Sequence, residues 1–282
     1  MAKGKRGVIS LTTDFTSKDG NVGVMKGVIY GINPRACIVD LSHDIPPQDI
    51  AAAAYVLRRA YTYFPRGTVH VAVVDPGVGT ERRAIAVETG DGFFVAPDNG
   101  VLTYVLQELR DRRAKVRIVN LTNSAYWLPS VSHVFHGRDV FAPVAAHLSL
   151  GVDIALLGEE IQDPHMLPPL HLEIDSGRIT GQVAHIDHFG NLLTSIPQAT
   201  LTSLANRVSI RVAGRHIDGL RNTFPDGRSG ELIAYIDSSN HLAIAVVNGN
   251  AQQVLNAQVG QPVDVATSPD QLYDRRNPSQ CG

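Results

Sequence analysis

Two short segments place an acid and a base where packing needs neither. In Val73-Val74-Asp75-Pro76-Gly77-Val78-Gly79-Thr80-Glu81-Arg82-Arg83 an apolar run stops at a carboxylate, and a Pro-Gly-Val-Gly turn follows at once. Ligands of open α/β sheets bind at the carboxyl ends of strands, and glycines there let other groups approach closely. A charge in that place fits a site better than a core, although Asp-Pro and Pro-Gly alone are also ordinary turn chemistry. The second segment, Phe135-His136-Gly137-Arg138-Asp139, carries an imidazole in a charged loop. An acid and a base on two such turns are the equipment of proton transfer.

Three further segments bear on recognition. Thr12-Thr13-Asp14-Phe15 puts a carboxylate at the end of the first apolar run. Such an acid can accept both hydroxyl protons of a ribose diol. No Gly-x-Gly-x-x-Gly follows it and there is no Walker loop, so the pattern suggests a nucleoside without its phosphates. Asp187-His188-Phe189-Gly190-Asn191 supplies an acid, an aromatic to stack on a base and an amide to pair with the edge of adenine. Ser238-Ser239-Asn240-His241 is a polar turn which, taken alone, reads as an ordinary β-turn.

The elements that must hold these residues follow from periodicity. Strands are predicted at 8–11, 37–41, 69–74, 84–88, 92–96 and 116–119. Helices are predicted at 21–32, 50–61, 102–109 and 140–148. Strands alternating with helices indicate an α/β domain, a mostly parallel sheet flanked by helices, over residues 1–160. Residues 161–172 read as a proline-rich linker. Short runs at 171–174, 178–186, 208–212, 232–236 and 242–247 make 173–267 a smaller all-β, barrel-like domain. The polar tail 268–282 is expected to be loosely held.

The chain has 282 residues, with 44% hydrophobic and 18% charged, which suits a packed core and not disorder. Its net charge of -2, without a basic block, argues against a nucleic-acid surface. Cys37 and Cys281 have no partner at metal or redox spacing, so neither a metal site nor a disulfide framework is expected. The start lacks a signal peptide's apolar core, and no apolar stretch is long enough for a bilayer. The expectation is a cytoplasmic protein without metal or cofactor, and without a nucleic-acid or membrane partner.

The ordered set TTDF at Thr12, SHDIPPQDI at Ser42, VVDPGVG at Val73, PDNG at Pro97, YWLP at Tyr126, FHGRD at Phe135, DHFGN at Asp187 and SSNHLAIAVVNGNA at Ser238 resembles one family. This is the S-adenosyl-L-methionine (SAM) hydrolases, or SAM hydroxide adenosyltransferases, relatives of the bacterial fluorinase and chlorinase. The resemblance implies hydrolysis of SAM to adenosine and L-methionine by activated water at the ribose 5′ carbon. It also implies a catalytic set on Asp75, Arg82 and His136, with Arg83 as the neighbouring alternative to Arg82. Asp14 would bind ribose. Asp187 would meet the methionine amino group, and Ser238 or Ser239 its carboxylate. Phe189, Asn191 and the backbone at Val246 would surround adenine. The resemblance further implies a homotrimer with sites at subunit interfaces. The halogenases have Tyr at the place of Asp75 and Ser at that of Gly137, which points to water as the nucleophile. Many relatives have Glu where this chain has Ala243, so a contact is missing there. A non-catalytic adenosine or SAM sensor and a SAM-dependent halogenase are the competing readings. An unrelated α/β hydrolase lacks its Gly-x-Ser-x-Gly elbow.

Overall fold

The computed structural model describes residues 7–175, 177–201, 204 and 208–267, and the chain divides into two compact units, Met1–Leu167 and Pro168–Gly282. The tail 268–282, with Cys281, lies outside the described residues.

In the first unit the predicted alternation is realised as β1 (Val8–Thr13), α1 (Asn21–Ile32), β2 (Cys37–Ser42), α2 (Ile50–Ala60), β3 (Thr68–Val73), β4 (Ala84–Thr89), β5 (Gly92–Pro97), α3 (Thr103–Asp111), β6 (Val116–Leu121), α4 (Ala142–Ser149) and β7 (Gly158–Ile161). The strands form one sheet in the order β2-β1-β3-β5-β4-β6-β7. β1, β2, β3 and β5 run parallel. The sheet is mixed because β4 and β5 form a hairpin across Gly90 and Asp91, which forces antiparallel pairing, and β6 and β7 extend that edge in the same way.

β3 is buried along its whole length because helices cover both faces of the sheet. Successive side chains alternate between the faces. Val69, Val71 and Val73 pack with Met25 and Ile29 of α1 and Val144 and Ala145 of α4. Ala72 and, just beyond the strand, Val74 pack with Leu57 of α2 and Val105 of α3. The chain leaves β1 for β2 on one side and returns through α2 to β3 on the other. The strand order therefore reverses at β1, and the crevice of this topology opens at the carboxyl ends of β1 and β3. Thr13 pairs with Val73, so Asp14 and Asp75 emerge at the same edge.

Residues 161–167 are tied to the first unit. Ile161 ends β7, the Arg83 guanidinium donates to Asp163, the His165 N–H donates to Asp98, and the Leu167 N–H donates to Thr103.

The second unit contains β8 (Leu172–Asp175), β9 (Arg178–Ile186), β10 (Leu192–Pro197), a short helix α5 (Gln198–Leu201), β11 (Val208–Val212), β12 (Arg215–Asp218), β13 (Leu232–Ile236), β14 (His241–Val246), α6 (Ala251–Leu255) and β15 (Pro262–Thr267). The path runs β12-β11-β15-β9-β10-β14-β13, with β8 also on β9. All these pairings are antiparallel, and the terminal strands β12 and β13 approach each other, which gives a nearly closed barrel. Ile179, Val183, Leu192, Ile210, Ile244 and Val265 fill its interior. Among the described residues no helix is long and apolar enough to cross a membrane.

Candidate active site

The crevice at β1 and β3 is a cleft of about 320 Å³ lined by Asp14, Gln48, Asp75 and His136 among apolar neighbours that include Phe15 and Val134. Each polar group is set by its own segment. Asp75 follows β3 directly. The turn after it bends back, so that the Val78 N–H donates to the Asp75 carbonyl. Gly79 lies at φ 78°, and a side chain there would strike the His133 carbonyl, so the first motif closes tightly onto the segment that leads into the second.

Arg82 bridges the two motifs. Its Nε donates to both Asp75 oxygens at 2.9 and 3.0 Å, and its Nη2 reaches Asp75 Oδ2 at 2.5 Å and His136 Nδ1 at 2.7 Å. The pair is dry, with side chains 11% (Arg82) and 5% (Asp75) exposed. The guanidinium also lies over the Phe141 ring. Arg83 points elsewhere, to Asp98 and Asp163. Arg82 is therefore the arginine that joins Asp75 to His136.

This geometry fixes a tautomer. A guanidinium only donates, so His136 Nδ1 accepts and the ring proton sits on Nε2. Burial first, and then the Arg82 cation, push the His136 pKa below its ordinary value, which keeps the ring neutral at neutral pH.

His136 stands at the start of a π-helical turn, Gly137–Phe141, that leads without a break into α4. Such turns cost hydrogen-bond regularity and are frequent at functional sites. The turn is anchored by Asp139, fully buried, whose carboxylate accepts from Arg138 and from the Ser132 N–H. Burial alone would raise the Asp139 pKa, but these donors hold it below the usual carboxylate value. A Cβ on Gly137 would sit 3.3 Å from Met25 Sδ and from the Phe135 ring, so the position is tight for a serine.

Asp14 accepts the Gln48 N–H at 2.9 Å. Of the second-unit candidates, Asp187, Phe189 and Asn191 share the turn between β9 and β10. The Asp187 carboxylate accepts from the N–H groups of Phe189 and Asn191 and from the Asn191 amide. Phe189 is 72% exposed, while Asn191 is buried. Val246 ends β14 beside this turn. Ser238 and Ser239 lie in the β13–β14 turn, which the register puts at the opposite end of the β10–β14 pairing. That turn is organised by Asp237, which accepts from the N–H groups of Ser239 and His241. Ala243 is fully buried. Among the described residues no cluster of three or more His, Cys, Asp or Glu is arranged to hold a metal ion.

Residues 9–158 match the SAM hydroxide adenosyltransferase N-terminal domain, and residues 181–264 match the C-terminal domain. The chain belongs to the SAM hydroxide adenosyltransferase family. It is 39% identical to the (R)-S-adenosyl-L-methionine hydrolase of Salinispora tropica, over 91% of this chain and 97% of that protein. A crystal structure of a conserved protein from Thermotoga maritima superposes with a TM-score of 0.84 at 38% identity, covering 92% of this chain and 99% of that one. A fluorinase from Actinopolyspora mzabensis is more distant, 28% identical over 93% of this chain and 98% of that protein.

Three residues at or beside this cleft escape assignment from sequence. Gln48 lines the cleft, Asp139 anchors the π-helical turn, and Asn99 donates to the Val74 carbonyl just before Asp75. Each lies inside a motif already quoted, but only the folded contact gives it a role.

Proposed function

We propose that the protein hydrolyses SAM to adenosine and L-methionine. The observation that carries this reading is the Asp75–Arg82–His136 network on the wall of a cleft that also holds Asp14. Water attacks the ribose 5′ carbon, the C5′–S bond breaks with its electron pair going to sulfur, and methionine leaves as a neutral thioether. A leaving group this good needs no general acid.

The hydrogen bonds of the three residues support a role for each. His136 Nε2 already carries a proton, so it holds the water oxygen as a donor. Asp75 takes the water proton, and Arg82 aligns the carboxylate and balances its charge. No strong base is required, because the water becomes strongly acidic as its oxygen bonds to carbon. The Asp14 carboxylate in the cleft attracts the sulfonium cation and repels a halide, which favours water as the nucleophile. Incubating the purified protein with the R and S sulfur epimers of SAM is the direct test. Adenosine and methionine should accumulate, and added chloride or fluoride should give no 5′-halo-5′-deoxyadenosine. Bound nucleoside without methionine release would instead mean a sensor.

Asp14 is assigned to the ribose diol. Asp14→Ala should weaken adenosine binding by about 1.5–3 kcal/mol, the scale of a hydrogen bond to a charged group. The 2′-deoxy analogue should lose less in the variant than in the wild type. An unchanged calorimetric affinity would remove Asp14 from the site.

In the second unit Phe189 and Asn191, with the Val246 backbone, are assigned to adenine, and Asp187 to the methionine amino group. The assembly proposed is a homotrimer in which two subunits contribute to each site, as head-to-tail contacts close into rings. Co-refolding inactive Asp75→Asn with inactive Asn191→Ala should then restore part of the activity, because some interfaces combine two intact halves. Mixed trimers without activity would exclude shared sites.

A further inference from the structure

Four polar residues line the cleft, and they fall into two pairs of opposite character. Asp75 and Asp14 are carboxylates that accept. His136 and Gln48 carry the donors. His136 is linked to Asp75 through Arg82, and Gln48 is joined to Asp14 by its own N–H.

The backbone at Gln48 is unusual. The Asp49 N–H donates to the Pro46 carbonyl, which closes a turn with Pro47 and Gln48 at its two central positions. Gln48 has φ 64°, a left-handed value that this turn position normally assigns to Gly or Asn. A glycine would donate the same N–H to Asp14 without strain, so the backbone contact does not explain a glutamine. The Gln48 residue is exposed, and its carboxamide makes no hydrogen bond among the described residues. Strain of this kind is concentrated at ligand sites.

A ribose diol presents two O–H groups and two oxygens with lone pairs. Asp14 can satisfy only the O–H groups, and one of its oxygens already accepts from Gln48. The hydroxyl oxygens still need a donor, and at this end of the cleft the neutral carboxamide of Gln48 is the group that offers one. We propose that Gln48 is a specificity-determining residue whose side-chain amide donates to a ribose hydroxyl of the substrate, completing with Asp14 a donor–acceptor clamp on the diol. This rests on the functional reading given above.

The test compares wild type, Gln48→Ala and Gln48→Gly by calorimetry with adenosine and with 2′,3′-dideoxyadenosine, alongside SAM turnover and thermal melting. Both variants should bind adenosine about 2- to 12-fold more weakly, the range of one neutral hydrogen bond. With dideoxyadenosine all three proteins should bind alike. Gln48→Gly should also melt at or above the wild-type temperature, because it relieves the left-handed strain while losing affinity. A purely structural role moves stability and affinity together. Adenosine affinities equal to wild type, or a loss of the same size with dideoxyadenosine, would overturn the assignment while wild-type turnover of SAM leaves the functional reading intact. A wild-type protein that neither binds adenosine nor consumes SAM overturns both.

Discussion

Asp75→Asn is expected to lower SAM turnover by about 10²–10⁴-fold, the range for losing general-base assistance. The substitution keeps the shape of the side chain but removes its charge and turns one acceptor into a donor. That donor faces the Arg82 N–H groups, which bond to both Asp75 oxygens in the native protein. Arg82 is left with a weaker partner in a dry setting, and removing one member of a buried pair costs up to about 3–5 kcal/mol. The melting temperature should therefore fall too, and the kinetics belong below the new melting point. Nucleoside affinity should change little, because Asp14 and Gln48 hold each other independently of the Arg82 network. The expected signature is a collapse of kcat with KM nearly preserved. Turnover close to wild type in Asp75→Asn would falsify the assignment of the proton to this carboxylate.

Acid should destabilise the first unit through a histidine remote from the chemistry. His70, in the middle of β3, is 3% exposed. Its Nδ1 lies 2.7 Å from Ser10 Oγ, and its ring stacks on Phe94 with Tyr61 and Phe64 at its edges. Burial pushes its pKa from 6.5 down to about 4. The folded state thus favours the neutral ring. The stability this provides is complete above the unfolded-state value near 6.5 and is lost as pH falls from there through about 4. At 1.36 kcal/mol per pKa unit, the swing amounts to about 3 kcal/mol. Urea unfolding across that window, in wild type and in His70→Phe, measures it. The phenylalanine variant leaves Ser10 Oγ without its partner and starts less stable, but its stability should depend less steeply on pH. Equal slopes would show that His70 does not titrate on unfolding.

The α/β-then-barrel architecture is legible in the chain because its signals are local. A buried strand such as β3 is a continuous apolar run, α1 repeats Val22, Met25 and Ile29 on one face, and Asp-Gly marks the β4–β5 hairpin. Strand direction is less local. The parallel half of the sheet follows from helical crossovers, whereas the antiparallel half depends on β6 and β7 adding to the edge that β4 presents. Weak strands such as β7 and β12 have too few apolar residues to be read alone and exist because a neighbouring edge has backbone groups to satisfy.

The site divides in the same way. Asp14, Asp75 and His136 stand out by residue type, because polar groups at strand ends and glycine turns are conspicuous against apolar runs. Arg82 and Arg83 are identical as residues and adjacent in the chain. What separates them is that Arg82 meets Asp75 and His136 while Arg83 meets Asp98 and Asp163. Gln48 carries no signal beyond Pro-Pro-Gln-Asp until its left-handed backbone brings its N–H onto Asp14. Residue type and periodicity act over a few neighbours, so the chain alone shows which chemical groups this protein owns and where its more apolar strands and its longer helices lie. Only the tertiary structure decided the pairing of those groups and the protonation of His136, because a hydrogen bond between Arg82 and a residue 54 positions away exists only once the sheet has brought both turns to one edge.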